Sequence, residues 1–565
     1  MTRGSLSAAI LKGKENLVKI IISRGTPVNF TDRLGRTPLH IAAGKSDAAI
    51  IKLLLKHKAN VDAQDFQGRT PLHFATSTGN LAIVKLLVNA PSVDGKSANI
   101  NSGTFHRYTP LHIVALEGRW NLIKYFVENG ADVNARESLT GCTPLHFSAC
   151  SGHVSTVQEL IKCGADVHAL TKQCYSPLHY AVFGKIRAKD KQRKKTLSCF
   201  TGLQMQKQAK IIDILFEAGV TLNPDKSVRS PFHFAAQRNN DVLLKKLLHY
   251  GAQVNAFDNK GFSAIHLAAA EGSPNIIRIL LNAGAEVNIK CSVGNLPIHY
   301  AIMYFNVNVI STLVQAGADI NAKSSYDDPV FLLSFKNKID PKNEFLNILL
   351  ESGADINARD EFNNTIFHFL GHKHCCGYND FFATIIDQFL DFNAVNQNGK
   401  TALDCALKLL KDDRTETAAF IIKAIVKMES TNKFSINELN KKIIETKCLK
   451  YYENCKKEME YLKIKRVWGN ISFYDLLDQP IKKLVSYSRN QELIRILNPG
   501  ICRTFPAYGD FIQRRMQIAL KKRIMLDNSV AVLDSLINIV HLPWFITLEI
   551  LNFLNSRDLE SVSKA

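Results

Sequence analysis

Thr37-Pro38-Leu39-His40 returns as Thr70-Pro71-Leu72-His73, Thr109-Pro110-Leu111-His112 and Thr143-Pro144-Leu145-His146. Ser replaces Thr at Ser176 and Ser230, His266 and His299 keep the tail, and Thr365 with His368 keeps both ends. From His40 to His73, His146 to His179, His233 to His266 and His266 to His299 the interval is 33 residues. Thr or Ser caps a helix by accepting a backbone N–H, and Pro suits the first turn, where its missing N–H would have no intrahelical partner. The tetrapeptide therefore predicts a helix start. Gly79, Gly118, Gly152 and Gly272 fall where that helix should stop, because Gly enters the left-handed region without a steric penalty. A second helix follows, with apolar spacing at Ile50, Leu53, Leu54 and at Ile276, Ile277, Leu280, Leu281, and ends at Gly130, Gly164, Gly251, Gly284, Gly317 or Gly353. Asp32–Gly35, Asp65–Gly68 and Asp258–Gly261 then match a type I turn closing a hairpin.

A period of 33 residues built from a turn and two helices resembles the ankyrin-repeat family over residues 5 to about 427, with ten or eleven units. The resemblance implies an all-α fold: a solenoid of helix-turn-helix units with projecting hairpins and atypical terminal units. We expect a capping unit at 1–34, the array at 35–427 and a separate helical domain at 430–565. Units near 328–335 and after Gly399 are degraded. Insertions at 91–102 and 184–210 lengthen two units to spacings of 39 and 54 residues. The second carries Lys185, Arg187, Lys189, Lys191, Arg193, Lys194 and Lys195, a solvated charge run that also fits a nuclear-import patch, and we expect it to be mobile and the first site of tryptic cleavage.

The 565 residues have a mean hydropathy near zero and 46% hydrophobic content, enough to bury extensive cores. No apolar run approaches the ~20 residues of a membrane span, and Lys12, Lys14, Glu15 and Lys19 break any signal-peptide core. The expectation is a cytoplasmic or nuclear protein with no membrane partner. Twelve cysteines without a C-x-x-C pair read as reduced thiols. The net charge of +20 is spread out, residues 430–565 holding 22 basic against 14 acidic residues, so no nucleic-acid stripe stands out.

Recurring histidines sit one per unit and do not converge, so they read as structural; the family resemblance implies that each braces its helix start and hairpin. His372, His374, Cys375 and Cys376 are the compact set of metal-capable side chains, but adjacent cysteines and H-x-H fit structural zinc spacings poorly, and no metal or other cofactor is expected. No P-loop, nucleophile elbow or H-E-x-x-H helix appears, which argues against an enzyme. Asn134, Asn255, Asn288, Asn321 and Asn357 resemble family asparagines that undergo hydroxylation; turn stabilisation is their expected role here. A target protein on the concave face, made by hairpin tips and first helices, would meet Arg33, Phe66, Arg107, Glu137, Asn259 and Lys260. Trp120 fits an interface anchor or a core position equally well.

After residue 430 the period is lost. Residues 436–462, 514–524 and 530–539 read as helices, with starts at Ser472/Asp475 and at Asn490. Leu542-Pro543-Trp544-Phe545-Ile546-Thr547-Leu548-Glu549-Ile550-Leu551-Asn552-Phe553-Leu554, followed by Asp558-Leu559, resembles the front half of an F-box. That likeness implies docking of Leu542, Pro543, Ile546, Ile550, Leu551 and Leu554 onto a Skp-type linker of a cullin ubiquitin ligase. Phe545 stands where the family usually has Glu, and 542–559 is truncated; it also reads as the last helix pair of a small domain. Ankyrin repeats with such an ending, and with the stretch containing Tyr508, Arg514 and Arg515, resemble the PRANC proteins of poxviruses and parasitoid wasps. The implied function is a substrate-recognition subunit. Two further readings are an inhibitor sequestering a Rel-type transcription factor and a basic nucleic-acid binder with steep salt dependence.

Overall fold

A computed structural model describes residues 3–90, 98–184, 202–222, 228–336, 343–372, 378–407, 415–431, 434–488, 493–494, 501 and 505–540. The basic run Lys185, Arg187, Lys189, Lys191, Arg193, Lys194 and Lys195, the cluster residues His374, Cys375 and Cys376, the helix start at Asn490 and the tail residues Leu542, Pro543, Ile546, Ile550, Leu551 and Leu554 lie outside them. The chain divides into two units, Met1–Ser292 and Val293–Ala565.

In the first unit each repeat is a helix pair. First helices such as Pro38–Lys45, Pro71–Thr78, Pro110–Glu117 and Pro144–Ser151 stack on one another, and second helices such as Ala48–Lys56 and Leu81–Val88 form a parallel outer row. The seam between the rows is apolar: Leu39, Ala42, Ile50, Ile51 and Leu54 in one repeat and Leu145, Ala149, Val157 and Leu160 in another are fully buried. One helix face supplies each seam, which is why the apolar residues recur at three- and four-residue steps. The insertion at 184–210 is helical at its end, contrary to the expectation of a mobile loop throughout. Residues 202–210 extend the second helix Gly202–Glu217, where Gln208 and Ala209 are buried and Gln208 Nε2 donates to the Cys150 carbonyl at 3.2 Å.

The second unit begins with more helix pairs. Pro297–Met303, Val330–Lys336, Ile366–His372 and Ala402–Leu407 stack in turn, and Val307–Gln315, Asn343–Glu351 and Asn379–Ile385 back them. The degraded unit near 328–335 still closes, because Val330, Phe331, Leu332 and Phe335 are buried. Residue 430 is not a break. Asn393 donates to the Ser435 carbonyl at 2.8 Å and accepts from Asn437 N at 3.0 Å. Buried Asn440 accepts from Thr401 Oγ1 at 2.6 Å and donates to the Phe392 carbonyl at 2.8 Å.

The remaining helices pack onto that end within the same unit. They are Glu438–Ile443, a π turn Ile444–Cys448, Leu449–Ile464, Phe473–Asp478, Ile481–Tyr487 and Gly509–Val540, with a short hairpin pairing Arg466 with Ser472. The capping box at Ser472 forms as expected, Ser472 N donating to the Asp475 carboxylate at 2.6 Å and Asp475 N to Ser472 Oγ at 3.2 Å. The two expected helices 514–524 and 530–539 are one continuous helix, Gly509–Val540. Neither Gly nor Pro stands between them, so the polar Asp527-Asn528-Ser529 interrupts the apolar pattern without breaking the backbone.

Arg515 ties this module to the repeats. It is fully buried, donating to the carbonyls of Ala383 at 2.7 Å, Leu476 at 3.3 Å and Gln479, and to the Asp387 carboxylate at 3.2 Å. The five N–H groups of a guanidinium suit such a junction of converging carbonyls, which a lysine could satisfy only in part. Beside it, Glu458 accepts from the N–H groups of Ala507 and Tyr508 at 2.8 and 2.7 Å, just ahead of the last helix. The buried Tyr508 hydroxyl donates to the Lys423 carbonyl at 2.9 Å.

Candidate functional site

Each hairpin tip is locked from inside. Asp32 Oδ1 accepts from the N–H groups of Leu34 and Arg36 at 2.9 Å, and Asp32 Oδ2 pairs with the Arg36 guanidinium at 2.8 Å. Asp65 repeats the arrangement with Gln67 and Arg69. Burial works to raise both carboxyl pKa values, but these side-chain and backbone hydrogen bonds hold them below the ordinary carboxylate range. Neighbouring tips then bond to each other: Phe66 N to the Leu34 carbonyl at 3.1 Å, Phe105 N to Gln67 at 3.1 Å, Ser138 N to His106 at 2.8 Å and Lys172 N to Thr140 at 2.8 Å.

That close approach explains the turn glycines. Gly68 has φ +76°, and a Cβ there would lie 2.7 Å from the backbone nitrogen of Phe105. Gly130 has φ +87° but open space around it. Gly130→Ala should therefore cost only the left-handed penalty of about 1–2 kcal/mol, whereas Gly68→Ala should cost more by displacing the next tip. Urea denaturation of the two variants checks this; equal losses would contradict the close contact.

Histidine joins tip to helix. Thr70 N donates to His73 Nδ1 at 3.0 Å, so the ring proton resides on Nε2, which donates to the Tyr108 carbonyl of the next repeat at 2.9 Å. His40, His112, His146 and His368 make the same two contacts with Thr37 and Arg69, Thr109 and Cys142, Thr143 and Tyr175, and Thr365 and Lys400. Burial pushes the imidazoles of His40 and His112 down, and those of His73, His146 and His179 to about 4.

The asparagines do more than stabilise their own turns. Asn134 Oδ1 accepts from Asp166 N at 2.8 Å while its Nδ2 donates to the Gly164 carbonyl at 3.3 Å. Asn255, Asn321 and Asn357 bridge in the same way to Gly284 and Glu286, Gly353 and Asp355, and Phe389 and Asp391. Each amide thus spans two repeats, a role that needs both its donor and its acceptor.

Of the residues read as facing a target, Arg33, Phe66, Arg107, Asn259 and Lys260 are exposed on the tips. Glu137 is a correction. It is 1% exposed, and its carboxylate accepts from Leu139 N and Thr140 N at 2.6 Å and Cys142 N at 3.1 Å. This turn has one residue more than Asp-x-x-Gly, and the longer Glu takes the place of Asp inside it. Trp120 is exposed, which excludes the core reading, but it opens the second helix Trp120–Glu128 and is not on a tip. Leu34, Phe105 and Leu139 are exposed tip residues that the sequence reading passed over. Their place one or two residues after the turn-opening Asp32, Thr104 and Glu137 was the available signal.

A model of the family of ankyrin repeats, built from three copies, matches residues 6–102, 93–171, 111–188, 203–291 and 232–324, together more than half of the chain. The chain belongs to the ankyrin-repeat family. No curated protein matches it. Ankyrin repeats are protein-interaction modules, in general without catalytic activity, so a protein-binding role follows for this array. Beyond residue 324 the ankyrin character rests on geometry, since Thr365–His368 and Asn357 keep the bonds seen in matched repeats. No described helix is long and apolar enough to cross a membrane, and no group of three or more described His, Cys, Asp or Glu residues is placed to hold a metal ion.

Proposed function

We propose that this ankyrin protein is a non-catalytic adaptor of the cytoplasm or nucleus. The array holds a target protein by its tips and concave face, and the C-terminal tail recruits a Skp-type linker and cullin, so that proximity supplies what catalysis would. One observation carries the target half: large apolar side chains are exposed on tips whose backbones are fixed by ladders of hydrogen bonds. Such preorganised side chains bind without a large ordering cost. The linker half is supported by the F-box-like order of Leu542, Pro543, Ile546, Ile550, Leu551 and Leu554, with Ile546, Ile550 and Leu554 at i, i+4 and i+8 in sequence, the spacing that one face of a helix would require.

Replacing Ile550 and Leu554 by Asp would bury uncompensated charge in an apolar groove, which is enough to abolish a modest affinity. Pull-downs of the double variant should lose linker and cullin and keep the target, with circular dichroism unchanged. Failure of the wild-type chain to retain linker, with target retained, would make the protein a sequestering inhibitor. Unfolding of the variant would show the tail to be part of a folded core.

A further inference from the structure

Four consecutive hairpin tips each expose one large apolar side chain: Leu34 at 55%, Phe66 at 69%, Phe105 at 68% and Leu139 at 56%. The row is bounded, since the next tip, Thr171-Lys172-Gln173-Cys174, has no such side chain. It is also rigid, because the tips bearing these residues are bonded backbone to backbone. Isolated exposed apolar residues need no explanation, but one on each of four consecutive locked turns points to an interaction surface.

Charge on the same tips is one-sided. Asp32 and Asp65 are neutralised by Arg36 and Arg69, and Glu137 is buried within its own turn. Arg33 and Arg107 are exposed and make no ion pair among the described residues. Arg107 stands at φ +60° in the position that Gly35 and Gly68 hold in neighbouring tips, so its guanidinium is carried at the corner of the turn. The four tips thus present aromatic and aliphatic anchors beside two cations, with no unpaired exposed carboxylate among their described residues.

We propose that the row formed by Leu34, Phe66, Phe105 and Leu139, flanked by Arg33 and Arg107, takes an extended acidic protein segment that carries bulky apolar side chains. This rests on the adaptor reading above and adds the chemistry of the target. Carboxylates of the segment meet Arg33 and Arg107, bidentate pairing being available to a guanidinium, while its apolar side chains cover the exposed rings. The four tips are spaced one repeat apart, which favours a chain that runs along the row over a flat film. A lipid surface and a second copy of this chain are the competing occupants.

The test pans a displayed library of random 15-residue peptides on the full-length chain, on Phe66→Ser/Phe105→Ser and on Arg33→Glu/Arg107→Glu, with thermal melts confirming that each variant folds. The substituted side chains are exposed, so folding should be unaffected. Peptides enriched on the wild type should combine Asp or Glu with Phe, Leu or Trp and lose at least tenfold in affinity on Phe66→Ser/Phe105→Ser. On Arg33→Glu/Arg107→Glu the acidic bias should disappear. Enriched peptides that lack acidic bias yet depend on Phe66 and Phe105 would overturn the partner chemistry while leaving the adaptor reading intact. Peptides that bind both variants as well as wild type, or no enrichment at all, would overturn the docking row. So would phosphatidylserine vesicles, or a dimer seen by sedimentation, that bind through Phe66 and Phe105.

Discussion

Acidification from pH 7.5 to 5.5 is expected to strip a large part of the stability from the unit Met1–Ser292. His40, His73, His112, His146, His179 and His233 are all depressed by burial, His73, His146 and His179 to about 4. The unfolded chain takes up protons near the ordinary histidine value of about 6.5, whereas the folded one resists them until far lower pH. Stability from these rings is therefore fully present above pH 6.5 and is lost as pH falls from there through the folded values. At the steepest, each ring held near 4 contributes about 1.4 kcal/mol per pH unit, so His73, His146 and His179 together amount to roughly 4 kcal/mol per unit, and His40, His112 and His233 act in the same direction. That is a large part of the stability of an ordinary domain. Burial is the main cause, and in His40, His73, His112, His146 and His179 the Nδ1 atom also accepts a backbone N–H, a bond that a second ring proton would have to break. Urea midpoints at half-unit pH steps measure the effect, and His73→Gln should flatten the slope by about one proton. A flat profile between pH 7.5 and 5.5 would mean that the rings are solvated in the folded protein.

Arg515→Ala should have the largest effect of any single substitution in the unit Val293–Ala565. It leaves the Asp387 carboxylate and the carbonyls of Ala383, Leu476 and Gln479 without their shared donor in a buried setting. Removing one partner of a buried ion pair costs about 3–5 kcal/mol. Arg515→Lys keeps the charge but not the planar fork, and should lose an intermediate amount. Hydrogen exchange is the appropriate readout. Amides of Asn379–Ile385, Phe473–Asp478, Ile481–Tyr487 and the start of Gly509–Val540 should lose protection together, because Arg515 holds them in one cluster. Loss confined to the helix carrying Arg515 would show that the repeats and the module are independent.

The contrast between these two predictions also marks what was legible in the sequence. Thr70, Pro71, His73 and Gly68 act within a few residues of themselves or on the adjoining repeat, so their spacing alone announced helix, turn and stacking. Arg515 acts across 128 residues on Asp387, a distance over which no periodicity reports. Its burial was invisible in a stretch that reads as an ordinary amphipathic helix. Glu137 was misread for the opposite reason, since a charged residue in a turn looks solvent-facing until the backbone N–H groups converging on it are seen. The exposed row of Leu34, Phe66, Phe105 and Leu139 lay in plain view, but an apolar residue in a turn carries no mark of exposure until the turn is placed.

The adaptor account turns on separable partners for the array and the tail. Proteins co-purifying with the full-length chain, with a chain ending at Ile539 and with the Phe66→Ser/Phe105→Ser variant, compared by quantitative mass spectrometry, test it most directly. The account predicts that the shortened chain loses linker and cullin but retains the target, and that the tip variant does the reverse. A target lost on removing residues 540–565, or kept at full level by the tip variant, would contradict it.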